Sequence, residues 1–174
     1  MHVFVALLRA VNVGGTGKLP MKELQLICEQ LGFKHVRTYI ASGNVVFASK
    51  LSEAKIKAAM EKSLAEYAGK PVGVFVRSAD DMAAIVTSNP FPRAATNRVV
   101  AVFLDEPAPR DAFQHATGKK DEEMKLGTRE IYIHYGDGMG TTKLKIPAAK
   151  NGTARNMNTV AKLAEMASSL QAEL

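Results

Sequence analysis

Arg9, Asn12, Gly14, Gly15 and Lys18 stand close together in the stretch Leu-Arg-Ala-Val-Asn-Val-Gly-Gly-Thr-Gly-Lys-Leu-Pro, residues 8–20. An apolar run (Val3 to Leu8) precedes them and a helical pattern beginning at Pro20 follows. A strand, a glycine-rich loop and a helix N-terminus in that order bring free backbone N–H groups and the positive end of a helix dipole to one corner, which favours an anion. Arg9 and Lys18 add positive charge. The chemistry this spacing offers is the binding of a phosphate-bearing group; the competing reading is a plain turn whose glycines supply positive φ.

Two well-known phosphate motifs are approached and missed. A P-loop requires Gly, four residues, then Gly-Lys-Ser/Thr. Here Gly17-Lys18 is present, but Asn12 holds the first position and Leu19 replaces the magnesium-binding hydroxyl. A dinucleotide fingerprint requires a third glycine where Pro20 stands.

Two other groups have the composition of a binding surface. Ser42-Gly43-Asn44 forms a polar turn between strand-like runs. In Thr153–Thr159, Arg155, Asn156 and Asn158 crowd the start of the last predicted helix, where one small polar residue suffices as a cap. Capping with loop packing competes with ligand contact for this cluster. The histidines (His2, His35, His115, His134) show no metal-ligand spacing, so no metal site is read, and no cofactor motif is found. His134 beside Tyr132 reads as a structural histidine. Gly-x-Ser-x-Gly is absent. Asp80-Asp81 reads as a helix cap and Asp121-Glu122-Glu123 as a solvated cluster. No catalytic group is identified.

The elements that must position these residues follow from periodicity. Strands are predicted over Val3–Leu8, Val36–Ile40, Val45–Ala48 and Val72–Arg77, with helices over Met21–Leu31 and Glu53–Ala68. Pro20 suits the first helical position, Ser52 a cap and Gly69 a helix stop. Cys28 falls on an apolar stripe with Leu24, Ile27 and Leu31 and reads as a core thiol. The order β-α-β-β-α-β is the ferredoxin-like unit. RNA-recognition domains share it, yet their glycine-and-aromatic signature is missing, and Tyr39, Phe47 and Phe75 are read as core rings.

The second half begins after Asn89-Pro90-Phe91-Pro92. It reads as a strand over Arg98–Leu104, a short helix over Pro109–Thr117, a hairpin from Met124–Leu126 and Ile131–Tyr135, an ambiguous stretch over Thr142–Lys150, and a terminal helix from Asn156. The predicted fold is therefore α+β: two ferredoxin-like halves, residues 1–88 and 89–174 (βαββα), with antiparallel sheets and helices packed on one face. The alternative is that both form one compact domain.

With 174 residues and 47% hydrophobic content, the chain can bury a substantial core. Lys and Arg number 23 against 17 Asp and Glu, a net charge of +6 that permits a polyanionic partner without requiring one. One cysteine excludes an internal disulfide framework. The N-terminus lacks a basic leader and no apolar run reaches membrane-spanning length, so a cytoplasmic protein is expected.

Topology makes the site expectation concrete. In a β-α-β-β-α-β unit the first two strands are parallel, so the Arg9–Leu19 loop and the Ser42–Asn44 turn leave the sheet at one edge. The predicted ligand residues are Arg9, Asn12, Gly14, Gly15, Lys18, Ser42 and Asn44, with Arg155, Asn156 and Asn158 from the second half. The leading expectation is a module binding a nucleotide or nucleic acid. A small enzyme acting on a phosphorylated or carboxylated metabolite, and a protein–protein adaptor, are the alternatives.

Residues 7–15, 18–21, 31–33, Arg37–Phe47 (with its run Thr-Tyr-Ile-Ala-Ser-Gly-Asn), Asn89–Phe91 and Arg155–Val160 together resemble the bacterial domain-of-unknown-function family sixteen-ninety-seven. The likeness runs from the first strand to the last helix. Ala10 stands where that family usually has Gly, Ala41 where it often has Gln, and Met157 where it often has Trp. The resemblance implies a compact α+β fold and brings no activity, cofactor or catalytic residue.

Overall fold

Strand β1 (His2–Leu8) is buried along nearly its whole length, which a strand achieves only at the centre of a sheet covered on both faces. In the computed structural model, which describes residues 1–9, 18–136 and 139–174, it lies between β3 (Asn44–Ser49) and β4 (Val74–Ser78), antiparallel to both. β2 (Lys34–Thr38) adds to β3, giving the order β2-β3-β1-β4. α1 (Met21–Gln30) joins β1 to β2, and α2 (Glu53–Ala68) joins β3 to β4.

Side-chain alternation decides the faces. Phe4, Ala6 and Leu8 of β1, Val45 and Phe47 of β3, and Val74 and Val76 of β4 form one core with Leu24, Ile27 and Cys28 of α1 and Ile56, Met60 and Leu64 of α2. Phe33 stacks on Phe47 with centroids 4.3 Å apart, so Phe47 packs in the core as expected, and Phe75 is also buried. Arg37, paired with Val46 on the opposite face, holds Glu173 at 3.4 Å and ties the chain's last helix to that face.

Local chemistry sets the ends of these elements. The Ser52 hydroxyl accepts from the Lys55 N–H at 3.3 Å, and Gly69 closes α2 at φ 71°. Ser78 and Asp81 form a reciprocal capping box at 3.0 and 3.3 Å, which starts α3 (Ala79–Thr87). Pro20, predicted at the first helical position, is instead the N-cap of α1, extended at ψ 142°. β2 ends at Thr38 and not at Ile40, because Tyr39 and Ile40 already belong to the turn.

The second sheet has the order β6-β7-β5-β8, again antiparallel: β5 (Val99–Phe103), β6 (Glu123–Leu126), β7 (Glu130–His134) and β8 (Thr153–Asn156). The helix expected over Pro109–Thr117 is only a 3-10 turn at Ala112–His115, and the ambiguous stretch carries another at Pro147–Ala149. Both segments are short and each carries one proline, Pro109 and Pro147, conditions that favour tight turns over an α-helix. Residues 153–156, read as the lead-in to a helix, pair with β5 as a strand. α4 (Met157–Glu173) follows directly. The result is an α+β fold of two four-stranded antiparallel sheets. The chain divides into two compact units, Met1–Ala84 with Lys162–Leu174, and Ile85–Ala161. Among the described residues no helix is long and apolar enough to cross a membrane.

Candidate functional site

The parallel relation of β1 and β2 is fixed by their common antiparallel partner β3. Both strands therefore end at the same edge of the first sheet. There the Leu8 N–H donates to the Gly43 carbonyl at 2.8 Å, and Leu7 lies opposite Asn44. The turn Ser42–Asn44 is thus bonded directly to the residue preceding Arg9.

Two further segments reach this edge. The Arg9 N–H donates to the Gly73 carbonyl at 2.9 Å, which brings Gly73, in the lead-in to β4, beside the end of β1; the exposed Lys70 lies three residues earlier in the chain. α1 runs into β2 through Leu31–Phe33, so its C-terminus lies where β2 begins and its N-terminus at the opposite edge, where β1 ends. Ten residues of helix cover about 15 Å, close to the length of a five-residue strand. The α1 N-cap is Pro20, which supplies no side-chain cap. Arg9, Lys18, Lys22 and Lys70 are all exposed. Glu23, in the first turn of α1, is an acidic residue at this end.

The turn has a constrained backbone. Asn44 is fully buried; its Nδ2 donates to the Tyr39 carbonyl and to Ser42 Oγ, both at 2.9 Å. Its amide group therefore organises the turn from within. Gly43 sits at φ 87°, and Ile40, a β-branched residue, at φ 49° while half-exposed. A β-branched side chain in the left-handed region is disfavoured. Such strain tends to collect at functional sites.

Of the predicted ligand residues, Asn12, Gly14 and Gly15 lie outside the described residues. Arg9, Ser42 and Asn44 meet at the sheet edge just described, and Lys18 immediately precedes the lead-in to α1. Arg155, Asn156 and Asn158 belong to the other compact unit. Arg155 is buried on β8, opposite Ala101; its Nη1 donates to Thr153 Oγ1 at 2.9 Å and the Ala154 carbonyl at 3.0 Å. Burial pushes its guanidinium down to about 10, so it stays charged at neutral pH. The Asn156 Oδ1 accepts from the Thr159 N–H at 3.0 Å and so caps α4, while Asn158 bonds Thr96.

Sequence reading missed Lys22 and Lys70. The antiparallel return of β4 beside β1 would have exposed Lys70, since that pairing brings the residues before β4 to the end of β1. Asp121-Glu122-Glu123, read as solvated, also needs correction at its centre. Glu122 is buried; the Thr142 hydroxyl and the Lys120 N–H bond its two oxygens, and those bonds, Thr142 first, hold its carboxyl below the usual range. His134 sits 3.8 Å from Glu123 and against the Phe91 ring. Among the described residues no group of His, Cys, Asp and Glu could hold a metal ion.

No curated protein matches the chain. Among solved structures, the conserved bacterial protein SP0830 from Streptococcus pneumoniae is similar, with a TM-score of 0.79 and 25% sequence identity over 95% of this chain and 98% of that one. A family model described as "Protein of unknown function (DUF1697)" matches residues 1–132, and the chain belongs to that family.

Proposed function

We propose that the edge of the first sheet where β1 and β2 end binds a phosphate-bearing ligand, either a nucleotide or a nucleic acid. One observation carries the reading: the Leu8–Gly43 and Arg9–Gly73 hydrogen bonds, at 2.8 and 2.9 Å, gather three chain segments at the edge where α1 begins. Lys18 and Lys22 flank the N-cap Pro20 in sequence, Pro20 supplies no side-chain cap, and the exposed Lys70 lies three residues before the Gly73 that Arg9 bonds. Backbone N–H groups at a helix N-terminus donate to an anion, and the basic side chains add charge-assisted contacts.

The test is titration of the full chain with pyrophosphate, ATP and a short single-stranded RNA, in the wild type and in Lys18→Ala/Lys70→Ala. Charge-assisted contacts contribute about 1.5–3 kcal/mol when well formed, and less on an exposed rim. The double variant should therefore bind roughly tenfold to 100-fold more weakly, with unchanged thermal stability. A steeper salt dependence for RNA than for ATP would identify a nucleic-acid site. Undiminished binding in the double variant, or saturation by none of the three probes, overturns the reading.

A further inference from the structure

The unit Ile85–Ala161 contains a groove of about 460 Å³ formed between Leu104–His115 and Pro147–Asn151. Its floor is apolar: Leu104 and Ala112 are buried there. Pro107, Pro109 and Pro147 form its walls, and their fixed φ angles give a preset shape. A volume of this size suits a small molecule or one extended side chain.

The rim has a charge opposite to that of the protein. Asp105, Glu106 and Asp111 line it, and no Lys or Arg is among the lining residues, although the chain as a whole carries +6. Arg110 and Lys150 adjoin the groove in sequence without lining it. His115 pairs with Asp111 at 3.2 Å, holding that carboxylate at the mouth. An apolar trough rimmed by carboxylates repels anions and gives a neutral ligand no electrostatic advantage.

We infer that this groove binds a small organic cation, a primary ammonium group carried on an aliphatic stem. The ammonium sits among Asp105, Glu106 and Asp111, and the stem lies on Leu104, Ala112 and the proline walls. This site and its ligand class are independent of the anion-binding edge.

The test uses three probes with one stem, n-hexylammonium, n-hexanol and n-hexanoate, titrated into the isotopically labelled full chain up to about 50 mM, a range that detects weak millimolar binding. Amide resonances of Ala112, His115 and Ala148 are followed. Hexylammonium should shift them saturably and bind at least about fivefold tighter than hexanol, and hexanoate should give no saturable shift. Asp105→Asn/Glu106→Gln/Asp111→Asn should bring hexylammonium to the hexanol level while the rest of the spectrum stays in place. Ala148→Leu, which fills the groove without touching the rim, should weaken hexylammonium and hexanol alike. Saturable binding of hexanoate as tight as hexylammonium, no saturation by any probe, or full hexylammonium affinity in the triple variant overturns the inference.

Discussion

Cys28 should make the protein alkali-labile in a way that its removal cures. The thiol is fully buried between α1 and the first sheet, and burial, followed by the charge of Glu29, pushes it from 9.0 up to about 12. A group whose pKa is raised by folding contributes stability that is complete below its unfolded pKa and is lost as pH climbs toward the folded one. The loss here begins near pH 9 and approaches about 4 kcal/mol above pH 12, at about 1.36 kcal/mol per unit. By pH 10.5 the same linkage gives a loss of about 2 kcal/mol from this one side chain. Cys28→Ala removes the titrating group but leaves a small cavity, which costs roughly 1–2 kcal/mol at neutral pH. The wild type should therefore be the more stable protein at pH 7, and the two stability curves should meet near pH ~10. Urea unfolding followed by circular dichroism at both pH values, under reducing conditions, measures this gap. Tyr132, whose phenol burial also raises to about 12, titrates in both proteins and cancels in the difference. A gap that stays constant from pH 7 to pH 10.5 would refute the reasoning, and so would rapid labelling of Cys28 in the native state.

Three other outcomes follow from the geometry. The exposed edge of β4 is closed by α2: Glu61 Oε2 accepts from the Val74 N–H at 3.1 Å and Lys57 Nζ donates to the Val74 carbonyl at 2.7 Å. Glu61→Ala should cost about 1–2 kcal/mol in urea unfolding, since it strips a partner from a buried strand residue. Gly118 sits at φ 71°, where an added Cβ would lie 2.0 Å from the Lys143 carbonyl oxygen. Gly118→Ala should lower stability by more than about 2 kcal/mol in the same assay and disturb the Thr117–Lys145 bridge; an unchanged midpoint would contradict the close approach. At Ile40, Asn tolerates positive φ and Ala does not, so Ile40→Asn should be about 1 kcal/mol more stable than Ile40→Ala; equal stabilities would mean that the turn stores no strain.

The local rules of this chain were legible in its residues. Apolar spacing located α1 and α2, Ser52 and Gly69 marked the ends of α2, Asp80-Asp81 read as a helix cap, and an apolar stripe predicted that Cys28 is buried. These signals depend on neighbours within about one helical turn, so sequence carries them in full. Reading failed where partners lie far away in the chain. Thr153–Asn156 looks like a polar helix entry and becomes a strand because β5 offers it a ladder; backbone pairing overrode side-chain composition. Pro109–Thr117 has some helical character but too few consecutive residues free of turn chemistry to nucleate an α-helix. Glu122 looked solvated because nothing in the sequence places Thr142 beside it. The sheet edge joining Leu8 to Gly43 was inferable from strand direction alone, since a crossover helix forces β1 and β2 to be parallel. That Asn44 turns inward and that Gly73 arrives beside Arg9 was settled only by tertiary structure, because both depend on the pairing of β1 with β3 and β4 across tens of residues.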